Sequence, residues 1–517
     1  MNSVILSQLV IETPSLSMFF LFNVFCTFLV AALCLLRFLK SEYVLARLSF
    51  CFALFIFVFY QVPLVLFSAQ VEASLQYYWF YAFTVNAGSV LLVLWGVFSR
   101  RLDVNQDVVF YSVQQLRIYL LTLFIGCVCL VVYLSGVPWT CTGLFALMFD
   151  PWLTLLAREF GVKLIGSGFS TYLLGAYANA VAPILVLLSV WLIREALLQR
   201  RVLNGIVGML GGVFAITAVL VSGTKGLLIP SMLMLVVGCY FWCRTWSSRI
   251  VTIVFAVVFV ISTLVSFELL KERGTNVGGA YDFAACSVEV GTCHQSRELL
   301  ESMTARDYSL GLPGAFVKPL QARLDCLCAG GDDTSCPSAV LNGSIMERVD
   351  KHERSLTFIS AIFNRMLVVP FQVSIWNFMY AESEQVDGLK TLPFARRLLG
   401  ESLNMPELVY QKYGSVYSGG DRTSTSTAPT SFFLAYPAYL GFGGFLLALA
   451  LVIALDLFLA KLARVVCMSL VPLLVGAVLI MCMNFMTSDF ITVLISHGGV
   501  AGIIMLLIHA LLLKRVS

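Results

Sequence analysis

The sequence is short of charge: Asp, Glu, Lys and Arg make up only 12% of its 517 residues, where an ordinary soluble domain carries roughly a quarter. So few charges cannot clothe a soluble surface. With 59% hydrophobic residues and a mean hydropathy of +0.91, the chain reads as an integral membrane protein. Histidine is also scarce. Of the four, His497 and His509 fall in the last apolar run and read as packing or interfacial residues, while His294 and His352 lie in a polar stretch. Wholly missing are a G-x-x-x-x-G-K-[ST] phosphate loop, H-E-x-x-H, G-x-S-x-G and a G-x-G-x-x-G between strand and helix. These absences argue against nucleotide hydrolysis and against the common soluble hydrolases and dehydrogenases. No cofactor, no metal and no nucleic-acid partner are expected.

What is present is a series of long apolar runs. A helix crossing a bilayer needs about 20 apolar residues, and within lipid a helix satisfies its own backbone hydrogen bonds. Eleven stretches free of Asp, Glu, Lys and Arg qualify: 13–36, 48–71, 73–99, 118–149, 164–193, 202–224, 226–243, 250–267, 423–455, 465–488 and 490–513. The expected fold is therefore all-α and polytopic, with about eleven transmembrane helices. Taken alternately, one set of connections holds fifteen Lys and Arg, from Arg37, Lys40 and Arg47 to Lys514 and Arg515. The opposite short connections hold only Arg158, Lys163 and Lys225. The positive-inside rule then puts the N-terminus outside and the C-terminus inside. Residues 1–12 carry no basic start or small-residue cleavage site, so no removed signal peptide is expected.

The stretch 356–378 is long enough to span but carries Arg365. Were it to span, either the first four basic connections or the last two would lie on the wrong side, so it is read as non-spanning. Thr357, Ser360 and Asn364 recur at helical spacing beside Arg365, which describes an amphipathic segment on the outer membrane surface, with Pro370 kinking or breaking it. The chain thus divides into a bundle of about eight helices at 1–270, a large external loop at 271–422, and three further helices at 423–517. The loop carries fifteen Lys and Arg, most of them arginine. Arginine pairs bidentately with phosphate oxygens.

Cysteine divides by compartment. Nine lie in or beside apolar runs, and six are external: Cys141, Cys286, Cys293, Cys326, Cys328 and Cys336. An even number on an oxidising side reads as disulfides stapling a subdomain at 281–340, with the connectivity open. Asn342-Gly-Ser is a short glycosylation sequon. Ser222-Gly-Thr-Lys-Gly226 forms a tight external turn presenting Lys225, and Arg158 belongs to an aromatic external segment at 137–170.

The order of S-G-T-K-G, a large loop containing F-N-R-M-L-V-V-P-F, then R-R-L-L-G, then T-S-T-A-P-T-S-F-F-L-A-Y-P-A-Y-L-G-F-G-G-F resembles the Wzy-type polymerases of O-antigen and related repeat units. The likeness covers roughly 150–517 and is most specific at 423–445. It implies a GT-C-like glycosyltransferase of the bacterial inner membrane with its large loop in the periplasm. Such an enzyme joins undecaprenyl-diphosphate-linked oligosaccharides into O-antigen, capsule or a related surface polysaccharide, with membrane lipid and a chain-length regulator as partners. Lys225 stands where many relatives carry arginine, and the cysteine-rich segment has no counterpart in the family pattern.

Transfer from a lipid diphosphate needs stabilisation of a leaving group that gains negative charge, which a preorganised cationic cluster supplies. Arg365, Arg396, Arg397, Lys225 and Arg158 are the expected diphosphate ligands. Asp421, Glu401 and His352 are candidates for deprotonating the acceptor hydroxyl, and Arg422 and Tyr417 for glycan contact. Three rivals are an O-antigen ligase, a flippase and a structural membrane protein. A ligase usually carries a His-Asn pair before the late helix, where this chain reads T-S-T-A-P-T-S. A flippase favours repeated halves and cations within the bundle, and a scaffold needs no clustered arginines.

Overall fold

The computed structural model describes residues 18–40, 45–67, 76–98, 112–150, 153–161, 168–222, 228–242, 250–251, 254, 258, 281–304, 314–332, 335–337, 368–384, 386–392, 403–414, 430–463 and 471–514. The described residues form helices and no strand. In chain order they are α1 (Met18–Lys40), α2 (Leu48–Phe67, with a π turn at Phe57–Gln61), α3 (Gln76–Phe98), α4 (Ser112–Leu134), α5 (Gly143–Phe149) and α6 (Thr154–Glu159). Gly168–Ala176 continues through the π turn Tyr177–Val181 into Ala182–Gln199 as α7, followed by α8 (Val202–Val219) and α9 (Leu228–Trp242). Then come α10 (Phe283–Glu289), α11 (Cys293–Thr304), α12 (Gly314–Cys328), α13 (Val369–Glu384), α14 (Met405–Val409), α15 (Phe432–Ala463), α16 (Val471–Phe485), α17 (Phe490–Ile495) and α18 (Gly499–Lys514).

Among the described residues seven helices are long and apolar enough to cross a membrane: Phe20–Phe38, Leu48–Phe67, Tyr77–Gly96, Leu116–Leu134, Tyr172–Gln199, Val202–Val219 and Phe432–Ala463. Three shorter apolar helices, Leu228–Phe241, Val471–Phe485 and Gly499–Leu511, occupy three more of the expected runs. The expected run at 250–267 lies outside the described residues, save Ile250, Val251, Val254 and Val258. The chain is an all-helical protein with the pattern of a polytopic membrane protein.

Contacts group the chain into two compact units. One comprises Met1–Asp107, Ser355–Val416 and Thr425–Leu494; the other comprises Val108–Arg354, Tyr417–Ser424 and Ile495–Ser517. This grouping follows contacts, whereas the three consecutive regions of the sequence reading follow membrane topology.

In the first unit α2, α3 and α15 run side by side and define two ends. At one, Asp456 of α15 is fully buried and accepts from Arg47 Nη2 at 3.1 Å, from the Ser49 backbone N–H at 3.2 Å and from Trp95 Nε1 at 3.1 Å. At the other, Tyr60 of α2 meets Met486 beyond α16, and Tyr81 of α3 stands edge-on to Phe378 of α13. Between the ends Phe52 packs on Phe432, Phe433 and Phe485, with ring centroids 5.5–5.9 Å apart. Gly88 admits Phe433, because a Cβ there would come within 2.5 Å of the ring. The glycine-rich start of α15 is a kink: Gly441 adopts φ 60° and ψ −142°, a conformation only glycine takes without strain.

Pro370 was expected to kink or break a helix over 356–378. Residues 356–367 lie outside the described residues; Val368 is π-helical and Pro370 stands just after the change to the α-helix of α13, which continues past 378 to Glu384. The expected polar stripe at Thr357, Ser360 and Asn364 lies outside the described residues. Phe371, Val373, Ser374, Ile375, Asn377 and Phe378 of α13 are all buried, so the described part presents a broad buried face to its neighbours.

In the second unit α7 packs on α4, α8 and α9. Tyr119 of α4 donates to the Val207 carbonyl at 3.0 Å and lies so close to Gly211 that a Cβ there would sit 1.8 Å from its hydroxyl. His509, read as a packing or interfacial residue, is fully buried and shares a hydrogen bond with Thr122 at 3.1 Å. The short helices α5, α6, α10, α11 and α12 enclose a separate core in which Leu156, Phe160, Phe283, Leu300 and Leu324 have no exposed surface. Asp282 caps α10 by accepting from Ala284 and Ala285, each at 3.1 Å, and also takes the guanidinium of Arg323. The buried Asp150 accepts from the Tyr281 N–H at 2.7 Å.

The six cysteines read as external are paired as Cys141–Cys286, Cys293–Cys328 and Cys326–Cys336. Spacing alone left this connectivity open. The described cysteines of the apolar helices, such as Cys51 and Cys482, are free thiols.

Candidate functional site

The most specific part of the resemblance enters the first unit at Thr430 and Ser431, two buried hydroxyl residues just ahead of α15. Each buried hydroxyl needs a partner, and Ser431 Oγ accepts from the Phe433 amide of its own segment at 3.4 Å. Thr430 Oγ1 lies 2.7 Å from Ser374 Oγ on α13, and the Ser431 carbonyl accepts from the Leu434 and Ala435 amides at the start of α15. One turn on, the Tyr439 hydroxyl donates to Asn377 Oδ1, and Asn377 in turn donates to the Val373 carbonyl at 2.7 Å. The helices that follow V-V-P-F and T-S-F-F, α13 and α15, are thus joined by two side-chain hydrogen bonds, one of them from Thr430 of the second motif.

A third strand of chain closes this cluster. The segment 486–489, between α16 and α17, accepts from Tyr60 at the Met486 carbonyl at 2.6 Å and from the Phe432 amide at the Ser488 carbonyl at 3.4 Å. Tyr60 stands on the π turn of α2, and such turns occur frequently at functional sites. At the end of this segment Asp489 Oδ2 accepts from Tyr436 at 2.8 Å, while its Oδ1 accepts from the Ile491 amide at 2.9 Å. Partial burial raises the Asp489 carboxyl above the ordinary carboxylate range, an effect countered by the bonds from Tyr436 and from the amides of Ile491, Thr492 and Phe490. Tyr81 is fully buried nearby, edge-on to Phe371 and Phe378, and its hydroxyl has no hydrogen-bond partner among the described residues.

Beside the cluster Val373, Met405 and Val409 form a small core between α13 and α14, flanked by Trp376, Tyr380, Tyr413 and Tyr439. Lys412 bonds Glu384 and lies 5.3 Å from the centre of the Tyr380 ring. Among the described residues no group of His, Cys, Asp and Glu is arranged to hold a metal ion.

Of the expected diphosphate ligands the structure describes Arg158, half-buried near the end of α6 in the second unit. Arg365, Arg396, Arg397 and Lys225 lie outside the described residues, as do the base candidates Asp421, Glu401 and His352, the glycan candidates Arg422 and Tyr417, and the sequon at Asn342. Sequence reasoning passed over Asp489, which it met only as the lone charge between two apolar runs. The available signal was a carboxylate in a connection that the charge pattern puts on the same side as the start of α15, opposite the basic connections. No known protein family, curated protein or solved structure matches the chain.

Proposed function

We propose that the chain is a GT-C-like glycosyltransferase that polymerises undecaprenyl-diphosphate-linked oligosaccharide repeat units on the periplasmic face of a bacterial inner membrane. One observation carries this reading: Ser374 of α13, one turn beyond the V-V-P-F motif and bonded to that motif's Pro370 carbonyl, is also hydrogen-bonded to Thr430 of the A-P-T-S-F-F strip, 56 residues on. A chance likeness of separate stretches gives no reason for them to meet. The cysteines add support on topology. Three disulfides among the described residues unite residues assigned to the oxidising side, and the remaining described thiols lie in apolar helices.

In this reading the cluster at the start of α15 fixes α13, and the arginine-bearing segment before α13 contributes Arg365 to the donor diphosphate. The other proposed ligands of the same unit, Arg396 and Arg397, neutralise the charge that develops on the leaving diphosphate. The large loop faces the periplasm, the N-terminus lies outside and the C-terminus inside.

Deleting the gene in its host and resolving the surface glycan on a gel tests the reading. The expected result is loss of the polymer ladder with one repeat unit retained on its acceptor. Loss of every repeat marks a ligase or flippase instead, and an unchanged ladder removes the chain from this pathway. Within the same assay Arg365→Ala and Arg365→Lys are expected to abolish long chains while the protein still inserts. Normal chain lengths in the inserted variants exclude Arg365 from the site.

A further inference from the structure

Resting on the polymerase reading, we propose that Asp489 is the base that deprotonates the acceptor hydroxyl, with Tyr436 as its positioning residue. The acceptor's O–H bond breaks toward the Asp489 carboxylate while its oxygen bonds the anomeric carbon of the donor glycan. The bond from that carbon to the lipid diphosphate breaks, and its electron pair leaves with the diphosphate.

Three features of geometry favour Asp489. It is partly exposed, so a substrate hydroxyl can reach it, whereas its partner Tyr436 is buried and fixed. The segment that carries it is stitched down by Tyr60 and by the Phe432 amide, so the carboxylate is held at the end of the bundle where the two motifs meet. It also lacks a cationic partner among the described residues, unlike Asp456, Asp282 and Asp325, which are tied to Arg47, Arg323 and Arg297. Tyr436 of α15 is the titratable group facing it, and the other described influences are the amides of Phe490, Ile491 and Thr492 on its own segment. Desolvation raises its proton affinity above that of a free carboxylate.

The plainer role of Asp489 is to cap α17, and the two roles separate by substitution. Asparagine and serine cap a helix about as well as aspartate, but neither accepts a proton. Purified full-length protein, given lipid-linked repeat units extracted from the host lacking the gene, provides the assay. Asp489→Asn, which keeps an acceptor for Tyr436, is expected to keep the wild-type melting temperature and KM while kcat falls about 10²–10⁴-fold, the usual contribution of general base catalysis, and Asp489→Ser is expected to lose kcat to the same extent. Asp489→Asn at the wild-type rate overturns the proposal.

A second measurement decides if those variants do not accumulate. The base works ionised, so activity falls as pH drops through its pKa. Tyr436 stabilises the ionised form by donating to it, and Tyr436→Phe must therefore move the acid limb of the kcat profile to higher pH. An unmoved limb overturns the proposal. If the wild-type protein makes no polymer from these substrates, the polymerase reading itself fails, independently of Asp489.

Discussion

Replacing Asp456 by alanine is expected to destabilise the protein by about 3–5 kcal/mol, the cost of leaving one partner of a buried ion pair uncompensated. Asp456 has no exposed surface and Arg47 is 5% exposed, so solvent relieves neither charge. The loss exceeds that of the ion pair alone, because the Ser49 amide and Trp95 Nε1 also lose their acceptor. Buried donors left unmatched cost about 1–3 kcal/mol each before relaxation. Thermal unfolding of the detergent-solubilised protein, followed by tryptophan emission, reads the change directly. The double variant Arg47→Met with Asp456→Leu should recover part of the loss, since an apolar pair strands no charge, although the two donors remain unmatched. Asp456→Ala with an unaltered melting temperature would show that the pair contributes nothing to the fold.

This pair shows where sequence reading reaches its limit. Arg47 was counted as one of the cations of an inner connection, and the apolar run of α15 was ended at residue 455 because Asp456 carries charge. Both statements describe local composition correctly. Their pairing spans 409 positions, and hydropathy carries no information about which helix faces which. The helices themselves were legible because the bilayer imposes a length and an apolar composition on each. Their partners were set by shape, as at Gly88 and Gly211, where the lack of a side chain admits Phe433 and Tyr119.

The candidate site was legible as two motifs but not as a place. The A-P-T-S-F-F strip and the V-V-P-F segment were both singled out, yet only the bonds Ser374–Thr430 and Asn377–Tyr439, made just beyond V-V-P-F on α13, bring the two helices together. Asp489 escaped because a single carboxylate between two apolar runs looks like any turn. What distinguishes it is Tyr436, 53 residues earlier on another helix. The amide chain Gln61–Asn86–Asn23, with bonds of 2.8 and 2.7 Å, escaped for the same reason. Each member is an ordinary polar residue in an apolar run until its neighbours are known, and together they tie α1, α2 and α3 inside a bundle where water cannot substitute.

Removing the Cys141–Cys286 bridge as the double variant Cys141→Ser and Cys286→Ser is expected to cost about 2–5 kcal/mol, and to cost more than the corresponding loss of Cys326–Cys336. The reason is chain entropy. The first bridge joins residues 145 apart and the second residues 10 apart, and closing a longer loop removes more freedom from the unfolded chain. Helices that stay inserted after unfolding restrict the long loop as well, which narrows the difference without reversing it. The first bridge has a further effect, because Cys141 follows α4 and Cys286 lies on α10. It fastens the small core around Phe160 and Phe283 to the end of a membrane helix. Limited proteolysis of the detergent-solubilised protein should therefore cut the cysteine-bearing segment sooner in this double variant than in one lacking Cys326–Cys336. Equal protease resistance in the two variants would show that packing alone, through Phe160 and Phe283, holds the loop core in place.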